Sequence, residues 1–160
     1  MAVIRLDKIA GAHLESVVHT AEMKNGYFVQ LGALVAGETE LYEVKVPAVD
    51  ADLKKEFVLV SAPEVMVDPR KAGLKHFVIE AGTTARAYHL VKGDVITLTE
   101  DLIDGTPVKN QFVVPQAGSM KLEASADGGS AEVSLVLEVV RETTLGYDNT
   151  KAFQLRVIKA

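Results

Sequence analysis

A chain of 160 residues with 48% hydrophobic and 24% charged residues lies inside the globular range and well away from the low-hydrophobicity, high-charge corner where disorder is expected. It has no cysteine, which excludes disulfide frameworks, thiolate zinc sites and thiol nucleophiles. Its net charge of −5 comes from 22 acidic and 17 basic residues without long blocks, which argues against a phosphate-tracking surface; nucleic acid is not expected as a direct partner.

The opening stretch "AVIRLDKI" (2–9) alternates apolar residues and contains no turn signal. It reads either as the first strand of its own sheet or as an arm added to a neighbour's sheet, so 1–12 is set apart from a single β domain over 13–160. Arg5, Asp7 and Lys8 interrupt its apolar residues, so it lacks the core and the cleavage pattern of a secretion signal. No apolar run approaches the roughly 18 residues of a membrane helix. A soluble protein without a membrane partner is expected.

"GYFVQLGAL" (26–34) places Tyr27, Val29 and Leu31 on one parity and Phe28, Gln30 and Gly32 on the other. As a strand it would bury one face fully and the other partly, offering the face broken by Gln30 and Gly32 to a second sheet or a neighbour. "ELYEVKV" (40–46) sets Tyr42, Val44 and Val46 against Glu43 and Lys45, the period-2 pattern of a half-buried strand. "EFVLV" (56–60), "HFVIE" (76–80), "ARAYHL" (85–90), "DVITLT" (94–99), "QFVVP" (111–115), "AEVSLVLEVV" (131–140) and "AFQLRVIK" (152–159) follow, each rich in β-branched or aromatic residues.

Glycine turns separate these runs at 24–26, 36–38, 80–82, 91–94, 103–107, 115–119 and 126–130. Helical signals are confined to "VDADLKKEF" (49–57), where an aspartate is placed to cap one turn, and "DPRKAGL" (68–74). The expected fold is therefore mostly β, a compact sandwich or barrel of about ten to twelve short antiparallel strands with little helix. Two prolines and a glycine in 61–73 mark the one place where the domain could be subdivided.

No pattern of catalytic residues emerges. The four histidines, at 13, 19, 76 and 89, match no zinc spacing, and His76 and His89 flank apolar strand residues as ordinary strand positions do. The serines near glycine, in "AGSM" and "GGSA", do not form a nucleophile elbow. The carboxylates of "EDLIDG" (100–105) lack the register of a calcium loop. No catalytic residue, metal or cofactor is expected.

Two residues outside the opening stretch suggest contacts. Arg86, between Ala85 and Ala87 in a β pattern, suits either a structural salt bridge or a partner contact. Tyr147 lies near the tip of "TTLGYDNTK" (143–151), where two long strands join in an expected hairpin. It suits an interface anchor or local packing.

The ordered phrases "NGYFVQLGALVAGETELYEVKVPA", "EFVLVSAPEVMVD", "FVIEAGTTARAYHLVKGDVITLTEDLIDG", "QFVVPQAG" and "VVRETTLGYDNTKAFQLRVIKA" together resemble small accessory head proteins of tailed bacteriophages, the decoration or cement proteins. The resemblance covers nearly the whole chain and implies a non-enzymatic, mostly β protein, made in the host bacterial cytoplasm. It implies binding to the major capsid protein on the virion exterior and stabilisation of the shell, as a monomer or a self-associated trimer. The capsid or subunit contacts expected on this reading are Val3, Ile4, Arg5, Leu6, Arg86 and Tyr147. A head-fibre base or tail component is a second reading, although it would be expected to carry a fibrous extension. A carbohydrate-binding β-sandwich is a third, disfavoured by 6% aromatic content and the absence of tryptophan.

Overall fold

The computed structural model describes residues 2–11, 13–64, 77–129, 132–146 and 148–160. Among them run twelve strands. β1 (Ile4–Lys8) precedes a contiguous group of five: β2 (Leu14–Val18), β3 (Phe28–Leu34), β4 (Leu41–Lys45), β5 (Val58–Val60) and β6 (Ala85–His89). Six more follow: β7 (Val95–Thr99), β8 (Ile103–Asp104), β9 (Phe112–Pro115), β10 (Leu122–Ser125), β11 (Val136–Leu145) and β12 (Thr150–Lys159).

Strands β2 to β6 close into a barrel in the order β2-β4-β3-β5-β6, while the others form a seven-stranded sheet in the order β1-β7-β12-β11-β9-β10-β8. The barrel is thus an insertion between the first two strands of the large sheet. The mostly β expectation holds, with both a barrel and an open sheet present. Pairing is antiparallel except at β2–β4 and at the short β8–β10 contact, which are parallel.

Two cores share one wall. Inside the barrel lie Val17, Met23, Val29, Val58, Val60, Ile79, Ala85 and Ala87. Between barrel and sheet lies the larger core, to which the barrel contributes Phe28, Phe57 and Leu59, and the sheet Ile96, Leu98, Leu137, Phe153, Leu155 and Val157. The side-chain alternation of a strand explains this division. In β3 and β5 the pairs Phe28–Leu59 and Val29–Val58 stand opposite one another, the first pointing to the sheet and the second into the barrel.

The stretch 26–34 therefore faces protein on both sides at its start, and only Ala33 and Leu34 at its end are exposed. Its face with Gln30 meets the second sheet of the same chain. Gly32 sits at the bulge in the β3–β4 pairing, where a Cβ would lie 2.8 Å from the Glu43 carbonyl oxygen; only glycine permits that approach.

The helical signal at 49–57 resolves to one 3₁₀ turn, Asp50–Lys54, without a side-chain cap at its start. Asp52 anchors it instead. Its carboxylate accepts bonds from Lys55 Nζ at 2.7 Å and the Ala48 backbone N–H at 3.2 Å, and pairs with Lys45 at 3.5 Å. The Lys55 bond first, then the Ala48 bond, hold its pKa down at about 2. Gln30 reaches this turn from β3, donating Nε2–H to the Asp52 carbonyl at 2.6 Å.

Three features differ from the sequence expectation. Of the run expected at 76–80, the described residues 77–80 contribute a single bridge, Met23 to Ile79, in place of a strand. The last hairpin is longer than expected, because β11 continues through Arg141–Leu145 and β12 begins already at Thr150. Strands β2 and β10 were not anticipated at all, and β8 lies where a turn was expected at 103–107. The signals at 68–74 and Tyr147 lie outside the described residues, as does most of the proposed subdivision at 61–73.

Candidate interaction surface

The inner face of the seven-stranded sheet is consumed by the core, so any recognition by this sheet belongs to its outer face. Register sets that face in rows. One row crosses four strands as Arg5, Thr97, Gln154 and Arg141. Another runs Lys8, Val95, Arg156, Glu138 and Phe112 over β1, β7, β12, β11 and β9.

The first row is tied by hydrogen bonds. Asp7, bulged from β1, accepts from Arg5 Nε, from Thr97 Oγ1 at 2.5 Å and from Gln154 Nε2 at 3.1 Å. Gln154 Oε1 in turn accepts from Arg141 Nε at 3.0 Å. Partial burial opposes ionisation of Asp7, but the bonds from Thr97, Gln154 and Arg5 outweigh it and hold the carboxyl below its ordinary range. The network fixes Arg5 and Arg141 at either end of a rigid polar line.

The second row borders a groove of about 640 Å³ lined by Lys8, Val95, Lys109, Glu138, Val140 and Arg156, among others. Lys109 is placed by a turn stitched to β11: the Asn110 N–H donates to the Val139 carbonyl at 2.9 Å, and the Val139 N–H to the Gln111 carbonyl at 2.8 Å. Asn110 adopts φ 67° there, a left-handed conformation that asparagine tolerates. Lys8, Lys109 and Arg156 are exposed and make no ion pair among the described residues. Around the two rows and the groove, Arg5, Lys8, Lys109, Arg141 and Arg156 stand with Asp7 and Glu138, while the register places Glu123 and Asp104 on the same face farther along, at β10 and β8.

The residues singled out from sequence fall on different parts of the fold. Val3 is 3% exposed and packs with Leu145 and Ala152; Ile4 and Leu6 pack against the main core. These three side chains serve the protein's own interior, and the segment 2–9 contains an ordinary edge strand. A bulge after Leu6 and the charges of Arg5, Asp7 and Lys8 are features by which edge strands resist unintended pairing. Arg5 is exposed on the first row. Arg86 is exposed on the barrel wall, with no ion pair among the described residues. Sequence reasoning missed Lys8, Lys109, Arg141 and Arg156, which no local motif connects.

A second polar cluster closes one end of the barrel. His89 on β6 contacts Glu56 Oε1 through Nδ1 at 2.6 Å and Glu15 Oε1 of β2 through Nε2 at 3.1 Å. Because the two ring nitrogens point to opposite sides, the carboxylates do not converge. Among the described residues no group of three or more His, Cys, Asp or Glu is arranged to hold a metal ion. Partial burial disfavours the imidazolium, but the bonds to Glu56 and Glu15 prevail and raise the pKa above its ordinary value of 6.5.

That direction fixes a pH dependence. The stabilisation is complete below the unfolded-state pKa of about 6.5 and is lost as pH rises through the higher folded value. Urea midpoints should therefore fall between about pH 6 and pH 9, and His89→Gln should flatten the slope. Equal slopes in the two proteins would show that the clasp contributes nothing.

Comparison of the chain with protein-family models, with curated proteins and with solved structures finds no match. No helix among the described residues is long and apolar enough to cross a membrane.

Proposed function

We propose that this chain is a non-enzymatic structural protein of a tailed-bacteriophage virion that binds the outer surface of the assembled capsid and stabilises the shell. Its partner on this reading is the major capsid protein, and its place is the virion exterior. The chain-long resemblance of short phrases motivates the reading. The observation that carries it is the outer face of the seven-stranded sheet, a broad, hydrogen-bonded β surface on which Lys8, Lys109 and Arg156 are exposed and make no ion pair among the described residues.

A lattice-bound clamp does not require one tight pocket. Contacts that are individually weak gain effective affinity when a ligand engages several subunits at once, and a rigid sheet avoids the ordering cost that a flexible arm would incur. Cosedimentation with empty expanded capsids, with unexpanded proheads and without capsids tests the proposal. Saturable binding to expanded shells alone, at a fixed ratio to capsid subunits, is expected; absence of binding to every capsid form would overturn it and direct attention to the tail or to soluble ligands.

A further inference from the structure

We propose that the groove bordered by Lys8, Lys109 and Arg156 docks an acidic protein surface, an exposed segment whose carboxylates alternate with an apolar side chain. The inference names the partner chemistry of the surface just described and rests on the capsid reading only for the identity of the partner.

Three observations lead to it. The first is charge. The groove is lined by three cations, Lys8, Lys109 and Arg156, against one carboxylate, Glu138, in a protein whose net charge is −5. Asp7, beside the groove, is already occupied by Arg5, Thr97 and Gln154. Uncompensated cations on one face attract and orient an anionic partner, and they set partner choice and association rate.

The second is the mixed lining. Val95 and Val140 sit among the cations of the groove, and Val140 is 37% exposed. Neighbouring Val108, beside Lys109, is 48% exposed. A segment with an apolar side chain between carboxylates satisfies both kinds of lining. A nucleic acid does not: the groove has no aromatic lining on which bases could stack, and the overall negative charge repels a continuous polyanion.

The third is preorganisation. Lys109 is carried by the turn bonded to Val139, while Lys8 and Arg156 extend from strands on either side of β7. Their backbones are fixed by the sheet before any partner arrives, which limits the ordering cost of binding to the side chains themselves.

The test uses the intact protein and two triple variants, K8E/K109E/R156E and K8Q/K109Q/R156Q, with Arg86→Glu on the barrel as control. All four are measured for cosedimentation with expanded shells, and separately for binding to poly-L-glutamate and to a single-stranded oligonucleotide at low and high salt. The expected result is that charge reversal weakens shell binding roughly tenfold or more, neutralisation weakens it less, and Arg86→Glu leaves it unchanged. Poly-L-glutamate should bind the wild type in a salt-sensitive way and fail to bind the reversed variant. Shell binding that survives charge reversal overturns the inference while leaving the capsid reading intact. If no shell binds the wild type, the capsid reading falls, and the poly-L-glutamate arm decides the inference alone. Preference for the oligonucleotide, or no binding to either polymer in that case, overturns it. Circular dichroism identical to wild type establishes that the variants are folded.

Discussion

Replacing Phe28 with alanine is expected to lower the unfolding free energy by about 3–5 kcal/mol, a large share of the roughly 5–15 kcal/mol typical of a domain. Phe28 is 1% exposed and projects from the barrel wall into the core that the barrel shares with the large sheet. It stands opposite Leu59 of β5, and its backbone N–H donates to the Met120 carbonyl at 2.8 Å. Both flanking elements are fixed, so the cavity left by the ring cannot collapse. For a protein of this size the loss corresponds to a melting temperature lower by about 6–20 °C. Leu34→Ala, on the same strand at a position 46% exposed, should change stability by about 0.5 kcal/mol or less. A Phe28→Ala effect no larger than that of Leu34→Ala would mean that the barrel and sheet do not share a core.

Gly26→Ala should be almost as damaging, at about 2–5 kcal/mol, and for two separable reasons. Gly26 has φ 94°, in the left-handed region, and a Cβ there would lie 2.4 Å from Leu102 Cδ1 and 3.4 Å from Leu98 Cδ2. Neither leucine has room to retreat, since both are 0% exposed. The position is fixed as well, because the Gly26 N–H donates to the Val60 carbonyl at 2.8 Å. Gly37→Ala isolates the backbone contribution: φ is 85° there, and nothing lies within 4 Å of the added Cβ. It should cost about 1–2 kcal/mol. The remaining difference measures the clash, and equal losses at the two positions would show that Leu102 yields without cost.

These two residues also show how far the sequence could be read. The alternation in 26–34 predicts a strand with one fully buried face, and Phe28 and Val29 do point to opposite sides. It does not predict that both sides are interior at Val29 and Gln30, because a polar glutamine resembles a solvent-facing position. Gln30 is nevertheless 2% exposed, held by its bond to the Asp52 carbonyl. The limits of β11 were obscured for a related reason. Arg141–Thr144 are polar on both parities, and the shift in register between Val139 and Arg141 interrupts the alternation. The parallel β2–β4 pairing has no local signal, since it depends on where the barrel closes.

The surface was less legible than the fold. Lys8, Lys109 and Arg156 are separated by nearly the whole chain, and they become neighbours only because β7 and β12 lie between β1 and β11. Of the contacts expected from sequence, Arg5 joins this face, Arg86 lies on the barrel, and Val3, Ile4 and Leu6 pack inward. An alternating apolar pattern cannot distinguish a strand that pairs within its own sheet from an arm that pairs with a neighbour.

A cryo-electron microscopy map of expanded shells saturated with the protein tests the central claim most directly. The account predicts copies at a fixed lattice position, with the outer face of the seven-stranded sheet against acidic segments of the capsid subunits and the Arg86 side of the barrel off the shell. Shells that carry no added density, or copies attached through the barrel with the sheet face in solvent, would contradict it.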